Sequence, residues 1–195
     1  SALAELGTIL LVSLIGLKLY DKWVGLLAAA FYAFAVLPIQ QAHFMTVDTF
    51  TNLFGMATVL AVVLISQRKT QLVAFEAGSP WRSKAAEIWP YLFFGLALGA
   101  ATASKINAAA LALLLPAVEA VRYFHTPPEQ RPRQFSITWK LVLTAALVSL
   151  VTFRLGQPYA FKGPGFFNIG FNPEWLSGMQ SLRAQSAGKV DFPQA

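Results

Sequence analysis

The residues best suited to chemistry in this chain are few, and they stand at the ends of long apolar runs. HFMTVD places the His43 imidazole and the Asp48 carboxylate close together in sequence. A carboxylate at the edge of a membrane is costly unless paired or facing water, so Asp48 is a candidate for lining a polar cavity. Thr46 or Asp48 could equally cap the helix that follows. Lys105, in ATASKINAAA, sits in a short turn where its ammonium could snorkel to head groups or hold the phosphate of a lipid-linked substrate as a point charge. Arg154 could complement the dipole of a helix it terminates or offer its fork of donors to a phosphate. Gln157 and Tyr159 add hydrogen-bonding groups at the same level, although tyrosine is also common in interfacial belts. Asp48 reads as the one acidic residue at the outer end of a span, with Glu174 and Asp191 in a later loop, so no paired-carboxylate site is expected. Walker-type phosphate loops, CxxC or HExxH metal spacings and GxSxG elbows are absent from the sequence, which removes soluble ATPase, zinc-protease and hydrolase readings.

The elements that must position these residues are membrane helices. Of 195 residues 56% are hydrophobic and only 12% charged, about half the charge of an ordinary soluble domain, so a water-facing surface could not be covered. Hydrophobicity excludes disorder, and zero Cys excludes a disulfide scaffold. Trp23 to Val47, Thr49 to Gln67 and Tyr91 to Ser104 carry no Asp, Glu, Lys or Arg. Gly7 to Leu17, Ile106 to Val118 and Leu141 to Phe153 are shorter, and their ends must rely on snorkelling by Lys18, Arg122, Lys140 and Arg154. The expected fold is therefore an all-α, polytopic bundle of about six spans over residues 1–156. Pro38 should end or kink the second span. Gln71 to Pro90 and His125 to Pro132 read as connectors between spans.

Charge placement orients the bundle. With the amino terminus outside, inner loops hold Lys18, Lys22, Arg68, Lys69, Arg82, Lys84, Arg122, Arg131, Arg133 and Lys140, against Lys105, Arg154, Lys162, Arg183 and Lys189 outside. That asymmetry follows the positive-inside rule and explains the net charge of +6 as topology, without nucleic acid. Residues 157–195 form the remaining region, an ordered loop rich in Gly, Pro and aromatics. Asn172 offers an N-cap, Pro173 the first helical position and Glu174 a favourable first-turn charge, starting a short helix that runs to about Ser186. Trp175, Leu176, Met179 and Leu182 share one face of it, as expected of a helix lying on a membrane surface.

AFYAFAVLPIQQAHFMTVDTFTNLF, GLALGAATASKINAAALALLLP and FRLGQPYAFKGPGFFN together resemble the multi-pass glycosyltransferases that use polyprenyl-phosphate sugars, the protein O-mannosyltransferase and aminoarabinose-transferase-like group. The resemblance implies inverting sugar transfer on the non-cytoplasmic face of the cell membrane, from a lipid-phosphate donor to a protein, lipid or glycan acceptor. It implies no organic cofactor, leaves a divalent metal open, and gives Asp48 a supporting role in acceptor or metal positioning. His43, Lys105, Arg154, Gln157 and Tyr159 would line the donor site. The family's principal carboxylate lies in a loop ahead of the region that corresponds to Ser1, so the chain reads as part of a longer enzyme and inactive alone. Transporter and structural-subunit readings stand beside this one.

Overall fold

The computed structural model describes residues 1–44, 46–68, 81–163, 165, 168 and 170–188. The chain folds as an all-α, multi-pass bundle, with eight α-helices among the described residues: α1 (Ala2–Leu19), α2 (Lys22–Phe34), α3 (Val36–Phe44), α4 (Val47–Ser66), α5 (Trp81–Ser104), α6 (Leu114–His125), α7 (Arg131–Gly156) and α8 (Pro173–Ser186). Among the described residues, five helical segments are long and apolar enough to cross a bilayer: Ala2–Leu19, Val47–Ser66, Trp81–Ser104, Ile106–His125 and Pro128–Gly156. Two compact units divide the chain, Ser1–Phe153 and Arg154–Ala195.

Prolines set where the helices depart from expectation. The expected second span is divided at Ala35, whose extended backbone (φ −69°, ψ 132°) separates α2 from α3. Pro38 has no N–H for the Phe34 carbonyl and its ring would clash there, so the helix stops and restarts with Pro38 in a first turn, where no donor is needed. Trp81 to Pro90, expected as connector, is instead the first part of α5, with Pro90 buried in the helix interior. The rest of that expected connector, residues 71–80, lies outside the described residues. Pro90 leaves the Ala86 carbonyl, four residues earlier, without its helical donor, and the Arg68 guanidinium donates to that carbonyl from the end of α4. The span expected at Ile106 opens as a 3-10 helix, Ile106–Leu113, before becoming α6 ahead of Pro116.

Helix-end contacts sort the first unit into two ends. Gln67 donates to the Lys18 carbonyl, and Arg122 Nη2 donates to the Arg68 carbonyl at 3.1 Å, so the last turns of α1, α4 and α6 meet the start of α5. Arg122, expected to snorkel, instead turns into the bundle with its side chain only 10% exposed. Its Nη1 donates to Tyr91 Oη at 2.8 Å and to Glu119 Oε1 at 2.7 Å, while Tyr91 Oη donates to Glu119 Oε1 at 2.6 Å and Thr138 reaches Glu119 Oε2 at 3.3 Å. Glu119 lies one helical turn before Arg122, so the pair neutralises itself without reaching water.

Around this lock, Ala61, Ile65, Tyr91, Phe94, Leu98, Leu115, Leu141 and Ala145 form the core joining α4 to α7. Gly95 and Gly99 let α5 and α7 approach closely: a Cβ at either position would stand 2.5 Å from a carbonyl of α7, that of Ala145 or Ser149.

A double-mutant cycle tests the compensation at Pro90. Arg68→Met should cost about 0.5–1.5 kcal/mol in unfolding from mild detergent, and at most about half of that in a Pro90→Ala background, where residue 90 supplies its own N–H. Equal losses in both backgrounds would show that Arg68 acts elsewhere.

Candidate functional site

The end of the bundle opposite the Arg122 lock holds the candidate site. Asp48 lies in the first turn of α4, and Lys105 follows the last turn of α5 in extended backbone (φ −151°, ψ 118°). Each charge therefore sits at the helix end whose dipole favours it. Lys105 Nζ donates to Asp48 Oδ1 at 2.6 Å, with side chains 46% and 32% exposed. An ion pair this open contributes about 0–1 kcal/mol to stability. Neither expected capping arrangement forms: Thr46 is the N-cap residue but makes no side-chain cap, and its buried Oγ1 has no partner. His43 is exposed in the last turn of α3.

The polar groups continue inward from this pair. Asn52, one turn beyond Asp48 on the same face of α4, donates to Gln41 Oε1 of α3 at 3.1 Å. The Tyr32 phenol of α2 faces Asn52 and Thr8, and it donates to Glu5 Oε2 of α1 at 2.9 Å. Glu5, Tyr32, Gln41, Asn52, Asp48 and Lys105 thus form a polar seam crossing α1 to α4 and the turn after α5. Thr49, in the same turn of α4, is fully buried, and its Oγ1 has no hydrogen-bond partner.

Glu5 corrects the expectation that Asp48 is the one acidic residue at this end. It lies just ahead of the charge-free stretch that begins at Gly7, a position that looks like solvent in a linear reading. The helix starts earlier, at Ala2, and buries it. An available signal was its isolation, since the next charge in the chain is Lys18. Asn52 was legible as the fourth residue after Asp48. Gln41 and Tyr32 were not, because their positions depend on the break at Ala35.

Arg154, Gln157 and Tyr159 belong to the second unit, where they build a loop. Arg154 is buried; its Nη1 donates to the Pro158 carbonyl at 3.3 Å and its Nη2 to that of Gly165 at 2.9 Å, while the guanidinium lies 4.7 Å from the Phe161 ring centroid. It therefore neither snorkels nor presents an open fork. Phe161 stacks on Phe171 at 5.6 Å, and Phe171 on Trp175 at 6.0 Å. Gln157 precedes a 3-10 turn, Pro158–Ala160, and its carbonyl accepts from Ala160 N at 3.2 Å. Asn172 caps α8 by accepting from Glu174 N at 3.0 Å and donates to the Tyr159 carbonyl at 3.1 Å. Tyr159 Oη donates to Glu174 Oε2 at 2.9 Å. A cleft of about 580 Å³ lies elsewhere, between α6 and α7, with Tyr123, Phe124, Phe135 and Trp139 among its walls.

No group of three or more His, Cys, Asp or Glu able to hold a metal occurs among the described residues. Comparison with protein-family models, curated proteins and solved structures gives no match to this chain.

The hydrogen bond to Glu174, and the negative charge there, raise the Tyr159 pKa above the ordinary tyrosine value. The raised value means that this contribution to folding is complete below the ordinary tyrosine pKa and lost as pH rises through the shifted one. Glu174→Gln should lower the Tyr159 midpoint toward that of free tyrosine, read from its ring carbon by NMR. An unchanged midpoint would place the cause of the shift elsewhere.

Proposed function

We propose that the protein takes part in transferring a sugar from a polyprenyl-phosphate donor to a hydroxyl of a protein, lipid or glycan, on the non-cytoplasmic face of the cell membrane. The observation that carries this reading is the Asp48–Lys105 pair: an ammonium held at one end of an apolar bundle, with nearly half of its side chain still accessible. Its level in the bundle suits a donor whose chain lies in lipid and whose phosphate lies at the interface. As the bond between the anomeric carbon and phosphate oxygen breaks, negative charge grows on the departing phosphate, and a fixed cation lowers that barrier. Asp48 orients the lysine by a short, charge-assisted bond and keeps it from wandering between head groups. Arg154, Gln157 and Tyr159 serve the reading by shaping the loop of the second unit rather than by an open phosphate contact.

Lys105→Ala in the full-length protein should weaken donor binding roughly tenfold to hundredfold, the worth of one charge-assisted hydrogen bond at about 1.5–3 kcal/mol. Asp48→Asn should lower transfer with a smaller effect on donor affinity. Binding of a labelled polyprenyl-phosphate sugar in liposomes and transfer of its label to acceptor measure the two effects, and unchanged affinity in Lys105→Ala removes the phosphate assignment.

Orientation has its own test, made simple by the absence of Cys. Single cysteines replacing exposed Phe44 and Tyr20 mark the two ends of the bundle. An impermeant maleimide should label position 44 from the non-cytoplasmic side and position 20 only after the membrane is opened. The reverse pattern overturns the topology.

A further inference from the structure

The cleft of about 580 Å³ between α6 and α7 lies at the Arg122 end of the bundle, between two segments long enough to cross a bilayer, and the sugar-transfer reading makes no use of it. Its α7 wall is ordered along the helix. Gln134, Phe135, Thr138, Trp139 and Val142 line it at the three- and four-residue steps that keep side chains on one face, and Arg131, one turn earlier, continues that face. Arg131 donates through Nε to the Thr126 carbonyl at 3.0 Å and through Nη2 to the Phe124 carbonyl at 3.2 Å. Its guanidinium lies 5.5 Å from the ring centroid of Tyr123, which walls the cleft from α6, so the cation stands at the lip. Two of a guanidinium's five N–H donors are thereby engaged.

One turn farther in, Gln134 is only 3% exposed, yet its amide makes no hydrogen bond among the described residues. Glu119 and Thr138 also line the cleft, but they bond to each other, and Glu119 is held by Tyr91 and Arg122 as well. Gln134 is thus the open polar group of the wall, and a ligand bringing the complementary atom would recover the cost of burying it unpaired. Beyond it the wall runs to Val142, about 12 Å deeper at a rise of about 1.5 Å per residue, past aromatic rings. Cation, amide and apolar slot follow one another in depth.

That order is the order of groups in a glycerophospholipid entered from the membrane surface: phosphate, ester carbonyl, hydrocarbon chain. The surroundings favour an anionic one. Lys18, Lys22, Arg68, Arg82, Lys84 and Arg131 gather at this end of the bundle and outnumber Asp21, Glu87 and Glu129. We propose that the cleft holds one anionic glycerophospholipid of the adjoining leaflet. Its phosphate accepts from Arg131, an ester carbonyl accepts from the Gln134 amide, and one acyl chain lies along Phe135 and Trp139 toward Val142. The inference stands whether or not the protein transfers sugar.

The full-length protein, stripped of lipid in detergent and titrated with dioleoyl phosphatidylglycerol, tests this, with bound lipid counted by native mass spectrometry. One lipid per chain should bind and raise Tm with its concentration. The dialkyl ether analogue, which lacks both carbonyls, should bind about threefold to tenfold more weakly, and Gln134→Leu should bind ester and ether alike. Dioleoyl phosphatidylcholine should bind several-fold more weakly than phosphatidylglycerol, a gap that added salt narrows. Arg131→Gln should weaken binding about tenfold to hundredfold. Because Arg131 also ties down the end of α6, the decisive variant is Ala120→Trp, which fills the cleft from an exposed position and should abolish binding at unchanged lipid-free Tm.

Equal affinity of wild-type protein for ester and ether, or for the two head groups, overturns the assignment, as does unchanged binding in Ala120→Trp. A lipid-free dimer that Ala120→Trp dissociates would put a second copy of the chain in the cleft and overturn it too.

Discussion

A backbone carbonyl that loses its helical donor needs another, and much of this structure follows from how that demand is met at the helix ends. Pro90 removes one helical donor, and Arg68 reaches from the next helix to replace it. The last carbonyls of α1 and α4 are met in the same way, by Gln67 and Arg122. Arg68, Gln67 and Arg122 are long polar side chains at helix ends, where a linear reading assigns them to water. Each donates instead to a carbonyl of a neighbouring helix, a gain of about 0.5–1.5 kcal/mol per hydrogen bond where the groups stand exposed. This stitching fixes the helix register at one end of the bundle, and α1 and α4 consequently run parallel, carrying Glu5 and Asp48 together to the other end.

The two ends are chemically unlike. At the first, Glu119, Arg122, Tyr91 and Thr138 close on one another. Such a network holds helices together by pairing its buried groups with one another. At the second, Lys105 and Asp48 pair in partial contact with solvent, and Glu5, Thr46 and Thr49 keep buried oxygens without partners. The difference is one of saturation rather than polarity: sequence hydropathy rates both ends as apolar helix interrupted by a few charges.

That distinction also marks what the sequence could disclose. The membrane character and most span positions were legible because a bilayer demands long runs free of charge, and such runs are local. The start of α8 was legible for the same reason, since the Asn172 cap, Pro173 and Glu174 act within a single turn. Pro38 announced a break, and only the residue that gives way, Ala35, awaited the structure. Partnerships were not legible. Tyr32 meets Glu5 across 27 residues, Arg122 reaches Arg68 across 54 and Lys105 meets Asp48 across 57, and no local rule sets those separations. Asp48 and Lys105 were singled out individually, each with competing capping or snorkelling roles. Their juxtaposition arises from packing α4 against α5.

Arg154 shows the converse. Its type and location suited a phosphate, but an arginine near a glycine- and proline-rich loop has another use. Each carbonyl of such a loop can accept a second donor beside its backbone hydrogen bond, as those of Pro158 and Gly165 do. One guanidinium supplies both, and covers Phe161 with its face. The stack then passes through Phe171 to Trp175 on α8. The second unit is organised around a cation because it is too short and too irregular to assemble an aliphatic core. The same scarcity separates the two cations. Arg154 gives both Nη groups to the loop, whereas Lys105 is tied through a single carboxylate with nearly half of its side chain exposed.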